Sequence, residues 1–171
     1  MFDSPTPRFI YFESPNWWDL LTITIYGAIT YLIFWNPNLF QFQNLNDWGI
    51  WYATGTHLFL YFFNYKSLRK FNIWLVWLLI AFLHLLIEHK FGSEPNFQLL
   101  RGSGIKGLKF TWFLLLLIQG FRYFSLERCK VEFVALGRSS YDLWDDRRTN
   151  RLDSVFFLVY FPTAVLINVS Y

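Results

Sequence analysis

Long apolar runs that almost exclude charge constrain this 171-residue chain more than any other feature of its sequence. Five such runs cover residues 17–35, 48–64, 73–87, 108–124 and 154–169. As helices they would be about 22–29 Å long, close to the roughly 30 Å hydrocarbon core of a bilayer. A soluble domain of this size has no core that could bury five such runs. The pattern therefore predicts an all-α integral membrane protein with about five transmembrane helices.

Aromatic residues support the same prediction, because they make up 23% of the chain and tryptophans stand at the ends of the runs. Trp17, Trp18 and Trp35 flank the first run, and Trp48 begins the second. Tryptophan favours the two interfaces of a membrane. The fifth run is short and contains Pro162, so it must kink, thin the bilayer or pack against other protein.

Two polar segments complete a single predicted membrane domain. Residues 1–16 carry three prolines, and we expect an extended N-terminal arm there. Residues 125–153 hold six basic and six acidic side chains, so this segment is predicted to be water-exposed and electrically neutral overall. Lys and Arg concentrate in this segment and around residues 66–70, which places both of them and the N-terminus inside, and the C-terminus outside.

The kind of membrane is suggested by the start of the chain and by residue usage. The first residues match neither a secretory signal nor a transit peptide, and residues encoded by AT-rich codons are abundant. We expect the mitochondrial inner membrane, with a bacterial plasma membrane as the alternative. The net charge of +3 is not gathered into a basic stripe, so nucleic acid is not an expected partner.

His57 and His84 lie inside adjacent predicted spans and are the minimum set for a haem with two histidine ligands. Counted from the hairpin that joins the spans, their depths differ by roughly 6 Å, whereas one haem needs level ligands. We therefore expect two structural histidines that bond to hydroxyls such as those of Thr54 or Thr56. Neither a cofactor nor a metal ion is expected, and binding of haem or quinone remains the alternative.

The sequence Gly102-Ser-Gly104-Ile-Lys-Gly107 matches G-x-G-x-x-G but leads into a membrane span rather than a soluble crossover helix. Nucleotide binding is therefore not expected. Arg101 and Lys106 stand beside the start of the fourth span, where free backbone N–H groups attract anions. This arrangement predicts a site for an anionic lipid such as cardiolipin.

A docking role is predicted for the end of the charged segment, around Tyr141, Trp144, Arg147 and Arg148. Aromatic residues commonly anchor protein interfaces, and balanced charges fix their register. No catalytic arrangement of His, Ser or Cys accompanies these residues. The alternative is a solvated helix with internal ion pairs.

The spans contain almost no ionisable group; Arg122, near the inner end of the fourth, is expected to reach the interface. Pumps and proton channels need such groups in mid-membrane. We therefore expect a non-catalytic, multi-pass accessory subunit of a larger inner-membrane assembly, such as a respiratory-chain or other energy-converting complex, with other membrane subunits and lipids as partners. The alternatives are a redox subunit that uses His57 and His84, and an oligomeric transporter of lipids or small solutes.

Overall fold

The structure, a computed structural model, describes residues 9–35, 45–94, 98–99, 102–136 and 148–169. Its regular elements are five long helices and one short antiparallel strand pair, β1–β2, with 3₁₀ turns before α3 and α4. In chain order they are α1 Trp17–Trp35, α2 Leu45–Phe62, the 3₁₀ turn Ser67–Arg69, α3 Phe71–Phe91, β1 Gln98–Leu99, β2 Gly102–Ser103, the 3₁₀ turn Lys106–Phe110, α4 Thr111–Cys129 and α5 Arg151–Val169.

Each long helix contains 18 to 21 residues, which corresponds to about 27–32 Å. Among the described helices, α1, α3 and α5 are long and apolar enough to cross a membrane. This agrees with a helical membrane protein. The last two turns of α4 are more polar because they include Arg122, Glu127 and Arg128.

The helices run alternately between two ends of one bundle. At one end, near the start of α1, Asp19 binds Lys70 of the α2–α3 hairpin at 2.9 Å. At the other end, Trp35 packs on Phe91, so α1 and α3 finish together. We call the first end the hairpin face, which includes residues 9–16, 63–70 and 130–136, and the second the opposite face.

The predicted run 17–35 coincides with α1, and the other helices differ from prediction by a few residues at their ends. Helices α1 and α5 begin with the same kind of N-terminal cap. Asn16 and Asp19 exchange two backbone-to-side-chain hydrogen bonds of 2.8 Å, and Asn150 and Asp153 do the same at 2.9 and 2.8 Å. Such reciprocal caps satisfy backbone N–H groups that a helix start leaves free, which fixes the start of α5 at Arg151.

The expectation that residues 125–153 form one water-exposed segment does not hold for its first part. Residues 125–129 belong to α4, and Phe133, Val134 and Ala135 are buried in the main core. The chain reverses at Lys130, which has a left-handed φ of 56° and closes α4. Residues 131–136 then fold under the bundle, where Phe133 packs on Tyr61. Burial of apolar side chains outweighs the charge of their neighbours in the sequence.

Candidate functional site

Side chains from four helices meet the first residue of α4 in a buried polar network, in the half of the bundle nearer the opposite face. His57 of α2 and His84 of α3 are both 0% exposed. Their rings point at one atom, Thr111 Oγ1, which lies 3.3 Å from His57 Nε2 and 3.0 Å from His84 Nδ1. The same hydroxyl donates to the carbonyl of Leu108 at 2.8 Å. Thr111 therefore joins α2 and α3 to the start of α4.

Two tyrosine–threonine pairs attach α1 to the network. The Tyr26 hydroxyl lies 2.8 Å from Thr56 Oγ1, and the Tyr52 hydroxyl lies 2.6 Å from Thr30 Oγ1. Each threonine also donates to the carbonyl four residues earlier in its own helix. Tyr26 reaches further, to 2.9 Å from His84 Nε2. The antiparallel helices α1 and α2 are thus fastened twice, and one fastening continues into α3.

Helix α5 completes the arrangement through Asn168 and Tyr160. The Asn168 side-chain amide donates to His57 Nδ1 at 2.9 Å and to the Ala164 carbonyl at 2.7 Å. The Tyr160 hydroxyl donates to the His57 carbonyl at 2.8 Å. Because Nδ1 of His57 accepts, its Nε2 carries the hydrogen and donates to Thr111. We call Tyr26, Thr56, His57, His84, Thr111 and Asn168 the histidine network.

The contacts around His84 need one more hydrogen than the side chains supply when His84 is neutral. Thr56 and Thr111 each give their one hydroxyl hydrogen to a backbone carbonyl. Tyr26 must then donate to Thr56, and His84 would have to donate from both ring nitrogens. A neutral imidazole has one N–H and an imidazolium has two. With a neutral His84, four hydrogens are therefore shared among five contacts.

A proton added to His84 would therefore supply the fifth hydrogen without movement of any non-hydrogen atom in the network. Burial acts against this, since a charge removed from water is costly unless it is paired. The pair Tyr52–Thr30 differs, because its two hydroxyl hydrogens fill its two contacts. The two tyrosine–threonine pairs thus look alike in geometry but differ in hydrogen balance.

The shared contact at Thr111 changes the argument about haem. The depth difference along the helices does not keep the two imidazoles apart, because side-chain reach brings both to one atom. The Thr111 hydroxyl, however, occupies the space between them, and it would have to leave before an iron could bind both rings. Among the described residues, no group of three or more His, Cys, Asp or Glu side chains is placed to hold a metal ion.

Charged side chains gather instead at the hairpin face. Arg122 makes two 2.8 Å contacts to the carboxylate of Glu132 and donates to the carbonyls of Phe9 and Arg69 at 2.6 and 3.0 Å. Its side chain is 3% exposed, so it is buried rather than extended to the interface as expected. The guanidinium lies over the ring of Tyr11, and burial raises the pKa of that phenol. We call Arg122, Glu132 and Arg69 the arginine cluster.

A second ion pair holds the start of α1. Lys70 Nζ lies 2.9 Å from Asp19 Oδ2, and Asp19 is fully buried. The same ammonium is 3.4 Å from the Ser14 carbonyl and 3.9 Å from Glu13. Residues 9–16 are also bound to the hairpin by the backbone, since the Phe71 N–H donates to the Tyr11 carbonyl. The arm, the hairpin and α1 are therefore joined at one place.

Gly107, the last glycine of the G-x-G-x-x-G stretch, and Gly49 of α2 allow close packing. A Cβ atom on Gly107 would overlap Asn168 Oδ1 of α5. One on Gly49 of α2 would lie 2.9 Å from Ile105 Cγ2 and 3.2 Å from the Gly104 carbonyl carbon. These contacts bring the turn before α4 against α2 and α5, where it positions Thr111.

The structure therefore unites His57 with His84 but does not test most of the other predicted sites. Lys106 is half-buried and Arg148 is exposed. The remaining predicted residues, Arg101, Tyr141, Trp144 and Arg147, lie outside the described residues. Comparison of the chain with protein-family models, curated proteins and solved structures finds no match.

The histidine partners that the sequence did not predict are Tyr26, Thr111 and Asn168. One usable signal was present, because tyrosine precedes threonine by four positions in both α1 and α2. Thr111 and Asn168 follow no such pattern, and their roles depend on helices far apart in the chain.

Proposed function

We propose that this chain is a five-span integral membrane protein and a non-catalytic, multi-pass subunit of a larger inner-membrane assembly, such as a respiratory-chain or other energy-converting complex. Three helices have the length and composition of spans. The proposal adds α2 and α4 as spans because they are of similar length and pack alongside the others. Helices of about 27–29 Å suit a bilayer.

The observation that carries this proposal is the contrast between the inside and the outside of the bundle. Inside, the polar side chains of the histidine network and of the arginine cluster bond to one another, and the helices are linked near both ends. Outside, large apolar residues are exposed, among them Leu79, Leu86, Leu158, Leu166 and Trp51. A cross-linked interior favours a structural role, and an apolar exterior suits lipid and neighbouring subunits.

We place the docking surface in residues 137–149, around Tyr141, Trp144, Arg147 and Arg148. The preceding stretch is anchored in the chain's own core through Phe133, so a partner is not needed to bury it. Trp144 then supplies the apolar anchor, and the charges fix register, since exposed ion pairs contribute only about 0–1 kcal/mol each.

Orientation follows from the distribution of basic residues. The hairpin face carries Lys66, Arg69 and Lys70, so we place it, with the N-terminus, inside and the C-terminus outside. The favoured location is the mitochondrial inner membrane, and a bacterial plasma membrane is the alternative. On the outer side, Arg101 and Lys106 would bind an anionic lipid such as cardiolipin.

The test is extraction from the native host in a mild detergent, followed by native electrophoresis and identification of the co-migrating proteins. A stable set of other membrane subunits is expected. Trp144→Ala should release them more readily than the double variant Arg147→Gln/Arg148→Gln. Retention by Trp144→Ala with release by the double variant would contradict the apolar anchor. An oligomer of this chain alone would favour a transporter instead.

A redox subunit that uses His57 and His84 is a second candidate, and one cavity favours its quinone form. A groove of about 250 Å³ runs between α1 and α3 beside Tyr26 and Thr30. Tyr26 lines this groove and its hydroxyl also contacts His84. To donate to a quinone carbonyl, the hydroxyl would have to turn its hydrogen away from Thr56. Solvent extraction of the purified chain would reveal a bound quinone, expected to be lost in Tyr26→Phe. A Soret band that disappears in His57→Ala would indicate haem instead.

A further inference from the structure

A cavity of about 610 Å³ lies at the hairpin face between the arm, the first turn of α1 and the α2–α3 hairpin. We call it the hairpin-face pocket. Its size falls within the roughly 300–1,000 Å³ range of small-molecule sites. One part of its lining is aromatic and the other is basic. The aromatic residues are Trp17, Trp18 and Phe63, and the basic ones are Lys66, Arg69 and Lys70.

Contacts within the protein hold two of the three cations at the pocket. Lys70 is fixed by Asp19 at 2.9 Å. Arg69 is fixed by its 2.6 Å bond to the Phe133 carbonyl and lies 3.9 Å from Glu132. Because these contacts lock the side chains, little rotamer entropy would be lost when a ligand binds. Lys66 supplies a further positive charge from the hairpin itself.

The charges that line the pocket favour an anionic ligand. Its lining includes three basic side chains, Lys66, Arg69 and Lys70, and one carboxylate, Glu13. Arg and Lys carry several N–H donors each, so a side chain that already has one partner can still donate to another acceptor. They are the usual donors to phosphate, which makes a phosphodiester a suitable ligand.

The aromatic part of the lining favours a lipid over free phosphate. Trp17 is 71% exposed and Phe63 is 49% exposed, so both present apolar surface outward from the basic residues. Tryptophan at a helix end marks the level of lipid headgroups. A phosphate beside the cations, with acyl chains along Trp17 and Phe63, would use both parts. We propose that the hairpin-face pocket binds the headgroup of an anionic phospholipid.

The test is native mass spectrometry of the full chain in detergent with equal amounts of added phosphatidylglycerol and phosphatidylcholine. Phosphatidylglycerol should be retained preferentially. Lys66→Gln should lower its retention about fivefold, the factor that one lysine contributes near an anionic surface, and Lys66→Arg should restore it. The matched control is Lys90→Gln, since Lys90 is exposed beside Trp35 at the other end of α1. This control should change nothing.

Two further measurements identify the ligand and keep the test decisive if a variant fails to fold. Trp17→Ala should weaken retention of both lipids, whereas bound inorganic phosphate would be indifferent to it. If Lys66→Gln fails to fold, the preference of the unchanged chain for phosphatidylglycerol and the loss of both lipids in Trp17→Ala decide, because the exposed Trp17 side chain is not part of the core. Equal retention of the two lipids, equal losses in Lys66→Gln and Lys90→Gln, or displacement by millimolar phosphate would each overturn the proposal. Partner proteins are absent from the assay, so its outcome is independent of the subunit hypothesis.

Discussion

The arginine cluster and the histidine network link helices at two levels of one bundle, but they do so with different chemistry. Arg122 and Glu132 form an ion pair that stays partly open to water, as Glu132 is 19% exposed. His57 and His84 are fully buried and bond to hydroxyl and amide groups instead. Unpaired charge is costly in a low-dielectric interior. Formal charge is therefore kept at the hairpin face, and neutral hydrogen bonds serve deeper in the bundle.

This difference predicts that loss of one partner is most harmful in the arginine cluster. Glu132→Gln removes the carboxylate from a guanidinium that is 3% exposed. Breaking a buried pair in this way costs about 3–5 kcal/mol, and the partial exposure of Glu132 places the expected loss at the lower end. The free energy of unfolding in mixed detergent micelles measures it. Glu127→Gln is the control, since Glu127 is exposed on the same helix, and a loss as large as in Glu132→Gln would refute the account.

Thr111→Val is expected to have the next largest effect. The shape is kept, but the Nε2 hydrogen of His57 loses its acceptor and His84 loses a partner. Each buried polar group left unpaired costs about 1–3 kcal/mol, so the two give about 2–6 kcal/mol in the same unfolding measurement. We expect the lower end of this range, because a neutral His84 can direct its one hydrogen to Tyr26 instead. Thr163→Val is the matched control, because among the described residues the Thr163 hydroxyl bonds within its own helix, to the Val159 carbonyl. Similar losses in both variants would show that Thr111 does not join the helices.

Gly107→Ala tests the packing that supports the histidine network. The added methyl would displace the Asn168 amide and so weaken its bond to His57. Overpacking typically costs about 1–3 kcal/mol, and we expect a loss in that range by thermal unfolding. Gly55→Ala in α2 is the control, because a Cβ there has no atom of the described residues within 4 Å. An unchanged melting temperature for Gly107→Ala would contradict the assigned role.

The smallest effect distinguishes the two tyrosine–threonine pairs. Tyr52→Phe removes the hydrogen bond from Tyr52 to Thr30. Tyr26→Phe removes the contacts of Tyr26 with Thr56 and with His84, which belong to the five contacts that share four hydrogens. With a neutral His84, each variant loses one real hydrogen bond, worth about 1 kcal/mol. Near-equal unfolding free energies are therefore expected at neutral pH. A loss for Tyr26→Phe twice that for Tyr52→Phe would show that all five contacts are filled and that His84 is charged.

Much of the fold could be predicted from the sequence because span length and apolar content are local properties. The run at residues 17–35 became α1 without a shift, and the five expected helices correspond to five long helices in the described part of the chain. The candidate site was predictable only in part. His57 and His84 were singled out, but sequence spacing placed them at different depths, whereas their side chains meet at Thr111. Arg122 was expected at the interface, and only the folded chain brings Glu132 against it.

By itself, then, the sequence determined that this is a helical protein built from apolar runs of bilayer length, since hydrophobicity acts through each residue's own side chain. The tertiary structure alone decided which polar groups pair and which part of the charged segment 125–153 enters the core. Phe133 is buried because the turn at Lys130 directs it under the bundle. Asn168 reaches His57, 111 positions away, because Gly107 leaves room for it. Contacts of this kind join distant parts of the chain, and a local pattern carries no information about them.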